Sequence, residues 1–321
     1  MKAAMVREFG RPPEYADAAE PVPQPGEIEI TVTASAVSPL VLSRASGAHY
    51  SAGANLPLVP GVDGVGRTPE GRRVYFVFPR APLGSLAERT VVPAGNVVPL
   101  PDDLDDATAA AAGVPGMSCW IPLTERARVP TGESVLVNGA TGTSGQIAVQ
   151  LAKHLGARKV IATGRDERKL GSLRELGADV VLPLGQPAES LRDAVRREAR
   201  DSAIGVVLDY LWGPSAETIL DALGGPGAPR GAARIRFVQI GAISGSRISL
   251  EGAKLRSSGV EILGSGIGSS PISDVVTGVG QFLAAFASAG FRIATDVRPL
   301  SDVERAWSAS AGEKRLVLRI P

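Results

Sequence analysis

Between residues 28 and 34, Ile28, Ile30, Val32 and Ala34 alternate with Glu29, Thr31 and Thr33, the period-two pattern of a strand with one buried face. Further short β-rich runs at 73–78, 89–92 and 97–100 are separated by Pro and Gly, so the first part of the chain reads as a compact antiparallel β domain. An alanine-rich, helix-like stretch at 105–112 then leads through Gly113 to Trp120. Beyond 134 the pattern changes. Val135, Leu136 and Val137 are continuously apolar, Ile147, Leu151 and Leu155 recur at helical spacing, and 159–163 is again an apolar strand. Helix-like 188–200, with Leu191 and Val195 inward, is followed by a β-rich run at 204–208, a helix at 215–223 and a strand at 235–240. That alternation predicts a parallel sheet with helices on both faces. The segment 224–231, GGPGAPRG, reads as an exposed loop, and no internal repeat is present.

The most specific feature lies between the first two strands of this second half. Gly139, Gly142 and Gly145 space a turn as G-x-x-G-x-x-G between an apolar strand and an amphipathic helix, with Gly156 placed as a C′ glycine. In a dinucleotide-binding βαβ unit the first glycine makes the tight reversal, the second lets the backbone approach a pyrophosphate, and the third lets helix and sheet pack closely. The helix N-terminus then offers N–H groups and a favourable dipole to an anion. The position at which an NAD site carries an acidic residue falls on Gly164, and Arg165 follows it. A glycine there leaves room for the 2′-phosphate of NADP, with Arg165 and Lys169 to bind it. Asp166 competes as a ribose ligand, but its place before Leu170, Leu173 and Leu176 suits a helix N-cap. The balance favours NADPH.

With 321 residues, about two domains are expected. The 34 basic and 33 acidic residues nearly cancel, and the basic cluster Arg196, Arg197 and Arg200 lies on a helix patterned for solvent. No nucleic-acid surface is indicated. The start, MKAAMVREFG, lacks a signal-peptide core and no stretch of about 18 uninterrupted apolar residues follows, so a cytoplasmic location without membrane attachment is expected. The single cysteine, Cys119, excludes an intrachain disulfide and reads as a buried packing residue.

Several motifs occur in an order that carries a resemblance. They are Met1-Lys2-Ala3-Ala4, Pro60-Gly61-Val62-Asp63-Gly64-Val65-Gly66, Gly116-Met117-Ser118-Cys119-Trp120, the glycine turn, Gly241-Ala242-Ile243-Ser244-Gly245 and the closing Val317-Leu318. Nearly end to end, the chain resembles the zinc-independent quinone oxidoreductase and enoyl reductase branch of the medium-chain dehydrogenase/reductase superfamily. The resemblance implies an α/β chain in which a Rossmann doubly wound parallel sheet, 118–266, is inserted into a GroES-like antiparallel β domain made of 1–117 and 267–321. It further implies an NADPH-dependent reductase that delivers hydride to a quinone or a carbonyl-conjugated alkene. A non-catalytic NADPH-binding protein on the same fold, crystallin-like or regulatory, stays open as the alternative. A homodimer formed through the last strand of the Rossmann sheet, around 260–265, is expected.

By the same resemblance, Ser38 and Ser118 lie near the nicotinamide, and Gly139, Ala140, Thr141, Gly142, Thr143, Ser144 and Gly145 lie under the pyrophosphate. Gly164, Arg165 and Lys169 surround the adenosine phosphate, and Ile240, Gly241, Ala242, Ser265 and Gly266 border the nicotinamide. Tyr50 is the candidate catalytic donor to a developing enolate, with the reading of a plain wall residue equally open and His49 a weaker candidate. Zinc relatives carry Gly-His-Glu where this chain has Gly61-Val62-Asp63, and Ser38 stands in the region of their cysteine. No metal site is therefore expected, because His49 and His154 cannot supply the three ligands a catalytic zinc needs. Asn-Pro-x-Asp of the family is here Ser38-Pro39-Leu40-Val41. Asp209, at a strand end, reads as a capping or turn residue, while Tyr210 and Trp212 read equally as adenine covers or wall residues.

Overall fold

The alternating segment at 28–34 forms the middle of a ten-residue strand on which the first sheet is built. In chain order the elements are β1 (Lys2–Met5), β2 (Glu14–Asp17), β3 (Glu27–Ala36), α1 (Pro39–Ala45), β4 (Asp63–Arg67), β5 (Arg73–Val77), β6 (Arg89–Pro93), β7 (Val97–Pro99) and α2 (Asp106–Ile121). Then follow β8 (Ser134–Asn138), α3 (Thr143–His154), β9 (Lys159–Gly164), α4 (Glu167–Ser172), β10 (Val180–Pro183), α5 (Ala188–Ser202), β11 (Ile204–Asp209), α6 (Gly213–Gly224), β12 (Ile235–Gln239), α7 (Gly252–Arg256) and β13 (Val260–Gly264). The chain closes with α8 (Ile272–Ala289), β14 (Thr295–Pro299), α9 (Val303–Ala309) and β15 (Arg315–Arg319). This computed structural model describes residues 1–52, 55–228, 234–309 and 314–321; the end of the expected loop at 224–231 lies outside them.

The chain divides into two compact units, Met1–Met117 with Pro271–Pro321, and Ser118–Ser270. The second unit runs past the boundary expected at 266, because Ser269 Oγ accepts the Gly266 N–H and closes a turn directly after β13. Pro271 then opens α8.

In the first unit a seven-stranded sheet runs β14-β15-β3-β4-β5-β7, with β6 also paired to β3, and β1 pairs with β2 apart from it. Every pairing is antiparallel except β14 with β15. The inward residues Ile30, Val32, Phe76, Leu316 and Leu318 meet in one apolar core. Strand β15 therefore completes a sheet begun by the N-terminal segment. By length and composition α8 could span a bilayer. It buries Val276, Val279, Phe282, Leu283 and Phe286 while Asp274, Thr277 and Gln281 stay exposed, the pattern of an amphipathic helix packed on a folded unit.

In the second unit six parallel strands run β10-β9-β8-β11-β12-β13, the doubly wound order whose direction reverses between β8 and β11. β8 and β11 are buried along their whole length, as their continuous apolar runs require. Leu136, Ile161, Val207 and Phe237 from the sheet pack with Leu191, Val195, Ile219 and Leu223 from α5 and α6. β13 is an edge strand with Glu261 and Ile262 exposed. Because all six strands run the same way, the loops after β8, β9, β11, β12 and β13 lie at one edge of the sheet.

Candidate functional site

The turn after β8 needs each of its glycines for a different reason. Gly139 has φ +91°, and a Cβ on it would lie 2.8 Å from Leu211 Cγ, so only glycine makes this reversal without strain. A Cβ on Gly145 would lie 2.5 Å from both Ala140 Cα and the Gly139 carbonyl oxygen, a clash with backbone that cannot yield. Gly142 is different. Its nearest neighbour to an added Cβ is the Gly139 carbonyl oxygen at 3.8 Å, and its extended φ of −77° suits any residue. No steric contact requires a glycine there; it serves as the N-cap of α3 and leaves open space above the turn. Thr143, Ser144 and Gly145 form the first turn of α3, whose leading amides have no intrahelical acceptor.

At the end of β9, Asp166 is the N-cap of α4, accepting the Arg168 and Lys169 N–H groups at 3.0 and 3.2 Å. Those amides and the Arg168 charge hold its carboxyl below the usual range. Arg165 is exposed with no ion pair or hydrogen bond among the described residues, and Lys169 is half-buried one turn into α4. Gly164 does not leave the empty notch expected of it. A Cβ there would lie 2.4 Å from Thr141 Cγ2 and 3.0 Å from Thr141 Oγ1, so the Thr141 side chain fills the space.

Two residues that the sequence reading passed over join the glycine turn to β9. Thr163 Oγ1 accepts the Gly139 N–H at 3.2 Å and donates to Asn138 Oδ1 at 2.6 Å. Both are fully buried. Their signal was available: a polar residue directly before the turn, and another near the end of the next apolar strand. Cys119 is buried as expected, which pushes its thiol pKa far up.

On the nicotinamide side of the resemblance, the Ile240 and Gly241 amides are already used, both donating to the Asp209 carbonyl at 2.8 and 3.1 Å. The Ser265 amide donates to Gln239 O at 2.9 Å and the Gly266 amide to Ser269 Oγ at 2.9 Å. Ala242 is exposed, with its carbonyl accepting from Gly245 N. Ser118 lies on α2, where its carbonyl receives the Tyr210 hydroxyl at 2.9 Å. Tyr210 is buried, and Trp212 packs edge-on to Phe237 at 6.3 Å.

Within the first unit, Ser38 is buried as the N-cap of α1, its Oγ accepting the Val41 N–H at 3.2 Å. Tyr50 is 73% exposed on the loop after α1, and its ring lies 4.2 Å from that of His49. His49 Nδ1 accepts the Ser51 N–H at 3.1 Å, which places the ring proton of a neutral imidazole on Nε2. Burial, then the Arg44 charge, lowers its pKa, so His49 stays neutral near pH 7. Asp63, at the start of β4, is fully buried and receives the Tyr75 hydroxyl; burial raises its carboxyl to about 7.

No group of three or more His, Cys, Asp or Glu side chains among the described residues could hold a metal ion. Val62 brings no donor atom to the position where the zinc relatives carry histidine.

The chain is similar to known proteins in both sequence and structure. The sequence profile of a family described as zinc-binding dehydrogenase matches residues 145–285. The chain is 30% identical to a probable NADPH-dependent quinone reductase of Emericella nidulans over the full length of both chains. Among solved structures, a mycobacterial quinone oxidoreductase superposes with a TM-score of 0.86 at 25% identity, covering 99% of each chain. The quinone oxidoreductase of Thermus thermophilus, solved alone and with NADPH, superposes with a TM-score of 0.80 at 28% identity, over 99% of this chain and all of that one.

Proposed function

The chain belongs to the zinc-independent quinone oxidoreductase and enoyl reductase branch of the medium-chain dehydrogenase/reductase superfamily, and on that premise we propose that it is an NADPH-dependent reductase of quinones or carbonyl-conjugated alkenes. The observation that carries the reading is the carboxyl edge of the second sheet. There a turn with an unforced glycine at 142 stands beside a β9 end whose acidic residue is spent as an N-cap, while Arg165 is unpaired among the described residues.

NADPH supplies a hydride when bound. The residues from Gly139 to Gly145 hold its pyrophosphate, and Arg165 with Lys169 binds the 2′-phosphate. Thr141, filling the notch at Gly164, takes the place that an acidic side chain would need. Hydride addition to a conjugated acceptor builds negative charge on the carbonyl oxygen, and the Tyr50 hydroxyl is the donor proposed to meet it. His49, neutral with its proton on Nε2, serves as a hydrogen-bond donor and not as a cationic acid. The proposed reaction calls for no metal, because the acceptor is activated by its own conjugation. A homodimer joined through β13 and a cytoplasmic location complete the proposal; a lone buried thiol fits a reducing compartment.

The experiment that tests this reading is nucleotide titration of the unmodified protein and of Arg165→Ala. NADPH should bind the unmodified protein at least tenfold more tightly than NADH, about 1.4 kcal/mol. The variant should lose that preference through weaker NADPH binding while NADH is nearly unchanged. Equal affinities for the two nucleotides in the unmodified protein would refute the assignment.

A further inference from the structure

Asp209 is completely buried at the end of β11, where the sheet order reverses. A carboxylate is costly in such a place unless its neighbours donate to it, and burial does raise its pKa against the pull of Asn138, Trp212 and Leu211. Its partners fall on three segments, the end of β8, the loop after β11 and the loop after β12. Oδ1 accepts Asn138 Nδ2 at 2.8 Å, and Asn138 in turn holds the Thr163 hydroxyl that receives the Gly139 amide. The same oxygen accepts the Leu211 and Trp212 amides, each at 3.1 Å. The Asp209 carbonyl takes the amides of Ile240 and Gly241.

The loop after β11 is held under strain. Trp212 has φ +56° and is not a glycine, a conformation that costs about 1–3 kcal/mol and persists only where surrounding bonds over-determine it. The bonds to Asp209 do so, and they press Leu211 against the bare Cα of Gly139, where a Cβ would lie 2.8 Å from the leucine Cγ.

We propose that Asp209 is a positioning residue for the nucleotide: through Asn138 and Thr163 on one side and Leu211 on the other, it fixes the glycine turn that receives the pyrophosphate, in register with the loop at 240–241. This rests on the NADPH reading above. The carboxylate touches neither phosphate nor acceptor, and its effect is exerted on affinity for the nucleotide more than on turnover.

The test uses Asp209→Leu, Asp209→Asn, Thr163→Val and Thr163→Ser in the full chain, with Kd for NADPH, separate KM values for NADPH and a quinone, kcat, and melting temperature. Asp209→Leu and Thr163→Val should raise Kd and KM for NADPH at least tenfold, with kcat at saturation and KM for the quinone within about threefold, a split that a merely structural residue does not produce. Asparagine keeps an oxygen for all three donors to Oδ1, and serine keeps the hydroxyl relay, so both should restore most of the affinity. Should Asp209→Leu not fold, the Thr163 pair carries the same test alone. Unchanged NADPH affinity in Thr163→Val, or a serine variant no better than valine, would overturn the proposal. Failure of the unmodified protein to bind NADPH would instead overturn the cofactor reading and this proposal with it.

Discussion

Alanine at Gly142 separates what the fold needs from what the ligand needs. The nearest atom to the added methyl is 3.8 Å away and φ is already extended, so the substitution meets no clash. Its only folding cost is a poorer N-cap for α3, about 1 kcal/mol or less. Alanine at Gly145 meets the Ala140 and Gly139 backbone at 2.5 Å, and overpacking of that kind costs about 1–3 kcal/mol or more. For the ligand the order reverses. A methyl at 142 keeps the pyrophosphate from the leading amides of α3, and each lost hydrogen bond to a charged group is worth about 1.5–3 kcal/mol. One or two such losses raise Kd for NADPH roughly ten- to ten-thousandfold. Thermal unfolding with and without NADPH, beside a fluorescence titration, reads both quantities. Gly142→Ala should melt within a few degrees of the unmodified protein yet lose the NADPH-induced shift, whereas Gly145→Ala should melt clearly lower before any ligand is added. A Gly142→Ala protein that binds NADPH normally would show that the pyrophosphate does not lie over this turn.

Tyr50→Phe should lower kcat on enones by about ten- to a thousandfold with NADPH binding intact, and affect quinones less, because a quinol can take its protons from water; unchanged enone kinetics would reduce Tyr50 to a wall residue. Asp63, whose carboxyl is raised to about 7 by burial against an unfolded value of 3.8, contributes stability that is complete below the unfolded value and is lost as pH rises through the folded one. Relative to Asp63→Asn, the unmodified protein should therefore weaken by roughly 4 kcal/mol between pH 4 and pH 8 in denaturant unfolding, and parallel pH profiles would contradict the buried-acid account. The exposed edge of β13 offers unpaired backbone groups to a second copy, so light scattering at micromolar concentration should give a dimer, and a proline at Ile262 should shift it toward monomer.

The fold class was legible because its two halves use different periods, alternation at 28–34 and continuous apolar runs at 135–137 and 204–208. Asp166 also read correctly as an N-cap, since the leucines after it marked a helix start. The helix-like stretch read from sequence at 105–112 stopped at Ala112, where the alanine run gives way to Gly113. The structure continues α2 to Ile121. A Cβ on Gly113 would lie 1.8 Å from the Tyr75 hydroxyl and one on Gly116 2.1 Å from Phe282, so these glycines answer tertiary packing that no local pattern reveals. Gly164 misled for a similar reason. An absent side chain was read as room for a ligand, but the room is taken by Thr141 from a loop more than twenty residues earlier. Asn138 and Thr163 each stood out as a polar residue in an apolar run, but their relay was not legible because residues in separate strands become partners only once the strands are adjacent.

The claim at the centre of this account is hydride delivery from NADPH to a conjugated acceptor, and the measurement that reaches it most directly is NADPH consumption by the purified protein against quinones and α,β-unsaturated ketones, with NADH in parallel and product identified by mass spectrometry. The account predicts stoichiometric reduction of members of at least one of these classes, faster with NADPH than with NADH at equal concentration and unaffected by chelators. Tight NADPH binding with no consumption against any acceptor would contradict it and leave a nucleotide-binding protein without this chemistry.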